Sequence, residues 1–311
     1  MARGFGRIAR RALALCLLLA GLAACAQDQF GAGCRTEPEA RLAIEMRRNI
    51  AVVPAMVDDQ RAAMILDTGA EHTVLLAGFV NRIGLARDVR HAAMIRGIGT
   101  AMASATAHPD EIALDRVRVR HPFVIVGAFS TGDLPGGVPD GLLGADILAA
   151  FDVDVDIPHG QLTLYPACPL ARPLWTGPYA KLPGRLVRGR LVVPLFLDGV
   201  PVPVAVDTGA EYSLVSVRAA QAVGVPPSVL SEDPPAYLTV VGPDEVTAHV
   251  HRFKQVRLGP ESYANPVLPV IAFPATPAID GLLGMNYLRR HRVWLSYGTG
   301  QVFVAKPPFP H

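Results

Sequence analysis

Twice in this chain an apolar run ends in Asp-Thr-Gly-Ala-Glu: MILDTGAEHTVL at 64–75 and VAVDTGAEYSLV at 204–215. The two aspartates, Asp67 and Asp207, stand 140 residues apart, and the copying extends well beyond them. IAVVPAMVD (50–58) answers LVVPLFLDG (191–199), and Ile83-Gly84-Leu85 answers Val223-Gly224-Val225. HPFVIV (121–126) answers NPVLPV (265–270) after a small insertion, and DGLLGADIL from Asp140 answers DGLLGMNYL from Asp280. Each copy closes on a hairpin-like pair around PHGQLTLY and GTGQVFVA. Chance does not produce so many matches in one order. The chain is an internal duplication, residues 45–166 and 186–306, and must fold as two like lobes.

The 311 residues are enough for two cores of about 120 residues each. Runs of four to eight Val, Leu and Ile, broken by Gly and Pro, read as strands. Few windows hold a helical period for three turns. The expected helices are short: one after each DTGA, near 76–83 and 216–223, and one after each GLLG. The fold class is mainly β. Between the copies, residues 167–185 carry Pro169, Pro173, Pro178 and Pro183. Proline is excluded from helix interiors and central strands, so this segment is the linker.

Residues 1–24 follow a different logic. Arg3, Arg7, Arg10 and Arg11 precede an apolar run from Ala12 to Ala24, too short to span a bilayer. That is the layout of a secretory signal peptide. Leu22-Ala23-Ala24-Cys25 resembles the lipobox of bacterial lipoproteins, which implies acylation of Cys25 and a tether, 25–44, joining lipid to the first lobe. The alternative is an ordinary signal cut nearby. The expectation is an exported, membrane-anchored protein of the bacterial envelope. Loss of the leader changes 29 basic against 27 acidic residues to 25 against 27. So nearly neutral a protein is a poor partner for nucleic acid.

Cys34 and Cys168 are then left as an even pair, and in an oxidising periplasm a disulfide between them is expected, two free thiols being the alternative. With no CxxC or HExxH spacing, neither metal nor other cofactor is expected. His249 and His251 read as neighbours on a solvated strand face. Asp152, Asp154 and Asp156 alternate with Phe151, Val153 and Val155, the pattern of a strand with one wet face.

Two copies of Asp-Thr-Gly suit one chemistry. Carboxylates held about 3 Å apart cannot both ionise, so one proton is shared and base and acid lie at one spot. Such a pair can take a proton from water as the water attacks an amide carbonyl, with the partner hydrogen-bonding the carbonyl oxygen. Gly69 and Gly209 would permit a tight turn and close backbone approach. Thr68 and Thr208 each supply a hydroxyl that can tie one loop to the other. Ala70 and Ala210 bring no hydroxyl to the carboxylates, which favours work in mildly acidic to neutral conditions.

DTGA followed about 70 residues later by Leu142-Leu143-Gly144, and again by Leu282-Leu283-Gly284, resembles the retropepsin-type aspartic peptidases. The resemblance covers most of both repeats. It implies two β-barrel lobes in a pseudo-twofold arrangement, a Leu-Leu-Gly strand crossing beneath each catalytic loop, and a dyad of Asp67 and Asp207. The implied activity is endopeptidase action on a peptide or protein substrate by a monomer. Glu71 and Glu211 depart from the family's usual Ser or Asp. Flap candidates are 96–104 and 240–246, which align poorly with each other and read equally as plain hairpin turns. The competing readings are a non-catalytic envelope lipoprotein that binds peptide or protein, and a structural envelope module.

Overall fold

The computed structural model describes residues 34–96, 101–128, 134–169, 172–239, 245–272 and 278–305. Residues 1–24, where a signal peptide is expected, and Cys25 lie outside the described residues, as do 97–100 and 240–244 of the two flap candidates. The described residues from Thr36 onward belong to one compact unit that contains both lobes.

The duplication is reproduced strand for strand. The first lobe's sheet runs in the order Arg87–Arg96, Ala101–Ala107, Val124–Gly127, Val74–Leu76, Gly141–Leu143, Gln60–Leu66, Ile50–Val57, Glu111–Leu114, Val117–Arg120. The second runs Pro235–Thr239, Glu245–Arg252, Val267–Ile271, Leu214–Ser216, Gly281–Leu283, Val200–Val206, Arg190–Leu197, Gln255–Leu258, Glu261–Ala264. In both, a short strand (Glu45–Arg47 or Arg185–Val187) pairs onto the long hairpin strand. Both strand paths have two free ends, so each expected barrel is, among the described residues, an open sheet. The expected helices are Ala77–Arg82, Val217–Ala222, Ala145–Leu148 and Met285–Leu288. A further short helix, Pro227–Leu230, opens on proline, whose fixed φ suits a first helical turn.

Chemistry at the turns sets the register that aims each Asp-Thr-Gly. Val57 pairs with Gln60 across Asp58-Asp59, and Leu197 with Val200 across Asp198-Gly199. All four turn residues have positive φ, the geometry of a two-residue hairpin that matches strand twist. Asp58 and Asp198 tolerate it and also accept the backbone N–H of Glu111 (3.0 Å) and Gln255 (2.8 Å) on the next strand over.

A third sheet joins the lobes: Ala40–Ala43, Gln161–Pro166, Phe151–Asp156, Arg292–Ser296, Gln301–Ala305, Tyr179–Leu182. Its central antiparallel pair sets Asp154 opposite Trp294, residues 140 apart, so the pseudo-twofold passes between them. The outer strands come from the tether and the linker. Proline-rich sequence is compatible with that edge position.

Here the wet face assigned to Asp152, Asp154 and Asp156 is corrected. The alternation is real, but all three are buried, at 1%, 1% and 5% exposure. Trp175 of the linker lies over the polar face, its ring 6.5 Å from that of Trp294, and Tyr165 stacks on Trp294 at 5.0 Å. Arg292 bonds Asp154 at 3.0 and 2.6 Å and lies 3.4 Å from Asp156. Likewise His249 and His251 are half-buried, and His251 is held by Asp233 at 2.6 Å. In both places a distant segment covers a face that local alternation leaves open.

Candidate active site

The strand Gln60–Leu66 is buried over its last three residues and delivers Asp67 into the interior; Val200–Val206 does the same for Asp207. Beneath them run the two Gly-Leu-Leu strands, parallel to the delivering strand in each lobe. Asp67 N–H donates to Leu143 O (3.1 Å) and Asp207 N–H to Leu283 O (3.0 Å). Ala145 and Met285 then donate to the carbonyls of Ala70 and Ala210, closing each loop at 2.9 and 2.8 Å.

Two polar pairs that sequence reasoning missed complete this frame. Asp146 accepts from the Thr73 hydroxyl (2.7 Å) and N–H (2.9 Å), and the same hydroxyl accepts from Gly144 N–H (3.1 Å). In the second lobe Asn286 accepts from the Ser213 hydroxyl (2.8 Å), which accepts from Gly284 N–H (2.9 Å). The signal was present in the 140-residue register: a hydroxyl six residues after each aspartate and an Asx two after each Gly-Leu-Leu-Gly.

The threonines cross between lobes as expected. Thr68 N–H donates to Thr208 Oγ1 and Thr208 N–H to Thr68 Oγ1, both at 3.1 Å. Each hydroxyl also donates to a main-chain carbonyl of the other lobe, Val206 O at 2.8 Å and Leu66 O at 2.6 Å. Both side chains are buried, and their reciprocal bonds leave the loops no freedom to slide.

The two carboxyls meet at the centre, each beside the glycine of the other loop. Oδ1 of Asp67 accepts from Gly69 and Ala70 N–H, both at 2.9 Å, and Oδ1 of Asp207 from Gly209 (2.9 Å) and Ala210 (3.0 Å). The glycines act by absence of a side chain rather than by a special φ. A Cβ on Gly69 would fall 2.2 Å from Asp207 Cγ, and one on Gly209 would fall 2.4 Å from Asp67 Cγ. Burial pushes the Asp67 carboxyl up to about 8, helped by the charge of Asp207 and opposed by the two N–H groups. Burial also raises Asp207, but the N–H of Gly209, the charge of Arg190 and the N–H of Ala210 restrain it.

Glu71 is a lobe contact. Arg190 of the second lobe bonds it at 2.7 Å, with Arg188 at 3.4 Å. Glu211 has no such pair among the described residues: its carbonyl accepts from Asn49, whose side chain also accepts from Arg289. The flap candidates belong to hairpins at matching sheet edges, Arg87–Arg96 with Ala101–Ala107 and Pro235–Thr239 with Glu245–Arg252. The first has a register shift between Asp88 and Ala93 and the second has none, so the hairpins match in place but not in shape. Cys34 and Cys168 are each disulfide-bonded. Among the described residues no helix is long and apolar enough to cross a membrane.

A family model described as "Aspartyl protease" matches this chain twice, over residues 53–147 and 193–287. Each match contains one Asp-Thr-Gly and one Gly-Leu-Leu-Gly. No curated protein matches the chain.

Proposed function

The chain belongs to the aspartyl protease family, and from that premise we propose that it is an aspartic endopeptidase whose dyad is Asp67 and Asp207. The observation that carries this is the meeting of two buried carboxyls from equivalent loops, each seated where the other loop's glycine leaves room. With one proton between them, the pair polarises a water and the carbonyl of a peptide bond together. Thr68 and Thr208 position the loops and touch no reacting atom. The hairpins at the sheet edges are the segments to cover bound peptide.

The test is digestion of a mixed peptide library, with and without a statine compound that mimics the hydrated carbonyl. Cleavage that the compound blocks, and that Asp67→Asn abolishes, is the expected result. Intact peptides bound by a folded protein would instead favour a non-catalytic binding lipoprotein. We also propose export and lipidation at Cys25, carried by the Leu-Ala-Ala-Cys motif. Metabolic labelling with a fatty acid should mark the wild type and not Cys25→Ser; equal labelling of both defeats that assignment.

A further inference from the structure

The two lobes are copies, but at one place the first is apolar where the second is charged. Glu261 opens the edge strand Glu261–Ala264 and faces Leu258 across the hairpin, as Val117 opens its own edge strand and faces Leu114. Tyr287 and His291 stand 140 residues after Ile147 and Phe151. Val117, Ile147 and Phe151 belong to the apolar core or pack against it. The fold therefore has no need of charge at these positions, and burying charge carries a desolvation penalty.

His291 is only 6% exposed, yet both of its ring nitrogens meet acceptors. Nδ1 lies 2.9 Å from the carbonyl oxygen of Tyr287, and Nε2 lies 3.1 Å from Oε1 of Glu261. A neutral imidazole has one N–H and can serve one of them; the imidazolium serves both. The Tyr287 ring stacks on the imidazole with centroids 4.1 Å apart, and the Tyr263 hydroxyl donates to the second oxygen of Glu261. The titratable and charged groups around His291 are thus Glu261 and Tyr263 of the edge strand, Tyr287 of the helix Met285–Leu288, and Arg290 beside it in the chain. Burial opposes the charge on His291, as does Arg290, but the Glu261 carboxylate and the Tyr287 carbonyl outweigh them and raise its pKa. Glu261 is lowered despite its burial, and burial holds both phenols neutral.

The helix between these partners also braces the second aspartate. Met285 N–H closes the Asp207 loop on Ala210 O, and Asn286 accepts from Ser213. His291 N–H in turn bonds Leu288 O at the other end of the helix.

We propose that His291 and Glu261 form a proton-dependent latch, which fastens the edge strand Glu261–Ala264 to the helix that braces the Asp207 loop and releases it when His291 loses its proton. Deprotonation sets a ring lone pair against an acceptor and leaves the Glu261 carboxylate without its cation. Because the folded pKa is raised, the latch is fully closed below about pH 6.5 and weakens as pH rises through the folded midpoint. The proposal stands whether or not the protein cleaves peptide.

The experiment follows the full-length protein from pH 5 to pH 9 by two measurements. Nitrogen NMR of the His291 ring gives its midpoint, which should exceed the 6.5 of an ordinary histidine. Amide hydrogen exchange of residues 261–264, corrected for the intrinsic pH dependence, gives the opening of the strand. Opening should increase through the same midpoint, by about tenfold for each pH unit by which that midpoint exceeds the ordinary value. In Glu261→Gln the midpoint should fall and the step in exchange should go with it. The double variant Glu261→Val, His291→Phe copies the first lobe and should stay closed at every pH. A wild-type midpoint at or below the ordinary value overturns the latch even if no variant folds, as does strand opening that ignores the midpoint. A step that persists in Glu261→Gln or in the double variant overturns it equally.

Discussion

Asp67 carries a stability cost that a pH titration can expose. Its carboxyl is raised from 3.8 to about 8, first by burial. The folded chain therefore holds that proton more tightly than the unfolded chain. Its contribution to stability is fully present below about pH 4 and is lost as pH rises through 8. Asp152 acts in the same direction over a narrower window, raised to about 6 by burial. The wild type should lose about 2–5 kcal/mol between pH 5 and pH 9, and Asp67→Asn less than half as much. Urea unfolding at pH 5, 7 and 9 measures this, and parallel slopes for the two proteins would refute it. The aspartates, threonines and glycines were legible from the repeat alone. The weight of the pH argument was not: the missing hydroxyl at Ala70 predicts the direction, but burial supplies the largest effect, and burial is a property of the assembled lobes. The reason for Gly69 was half legible, since the close approach it permits is to a carboxyl 138 residues away in sequence.

At the scale of elements, the buried acidic strand Phe151–Asp156 makes the sharpest claim. Arg292 is the cation bonded to Asp154, lies within 3.4 Å of Asp156 and sits over the Trp175 ring. Arg292→Met keeps much of the volume but strands a buried carboxylate, and should destabilise by about 3–5 kcal/mol near neutral pH. Asp154→Leu combined with Arg292→Met should recover part of the loss, because it removes the stranded Asp154 carboxylate, while Asp156 keeps its hydrogen bond with His159. Thermal unfolding of the single and double variants decides it; a double variant no better than Arg292→Met would show that the ion pair is not the cause. Strands, hairpins and the Gly-Leu-Leu crossings could be read from short apolar runs and their turns, because those depend on neighbours in sequence. What covers a face could not. The linker reads as proline-rich spacer, and nothing local shows that Trp175 closes over the aspartates or that Tyr179–Leu182 adds an edge strand.

Taken as a whole, the molecule is a duplication whose halves need each other, through a shared sheet, crossed threonines and the Glu71–Arg190 bridge. Cys34 and Cys168 are each disulfide-bonded, and under the proposed export and acylation of Cys25 each is the other's expected partner. A non-reduced digest of exported protein should give one cross-linked peptide joining them; two alkylatable thiols would disprove the pairing. The larger question is which aspartates work together in solution. Asp67 and Asp207 of one chain meet in the fold, and the linker holds the second lobe at an effective concentration of order millimolar, which separate chains seldom reach. The Glu71–Arg190 bridge, which has no counterpart at Glu211 among the described residues, also fits a cleft built from two unlike halves. Asp67→Asn and Asp207→Asn should therefore each abolish hydrolysis, and mixing the two variants should restore none of it. Specific activity should stay constant on dilution from micromolar to nanomolar protein. If Asp67 paired with Asp67 of another chain, and Asp207 likewise, each single variant would retain the activity of its untouched pair and lose it on dilution. Residual turnover of that kind, measured on a peptide the wild type cleaves, would overturn the single-chain dyad.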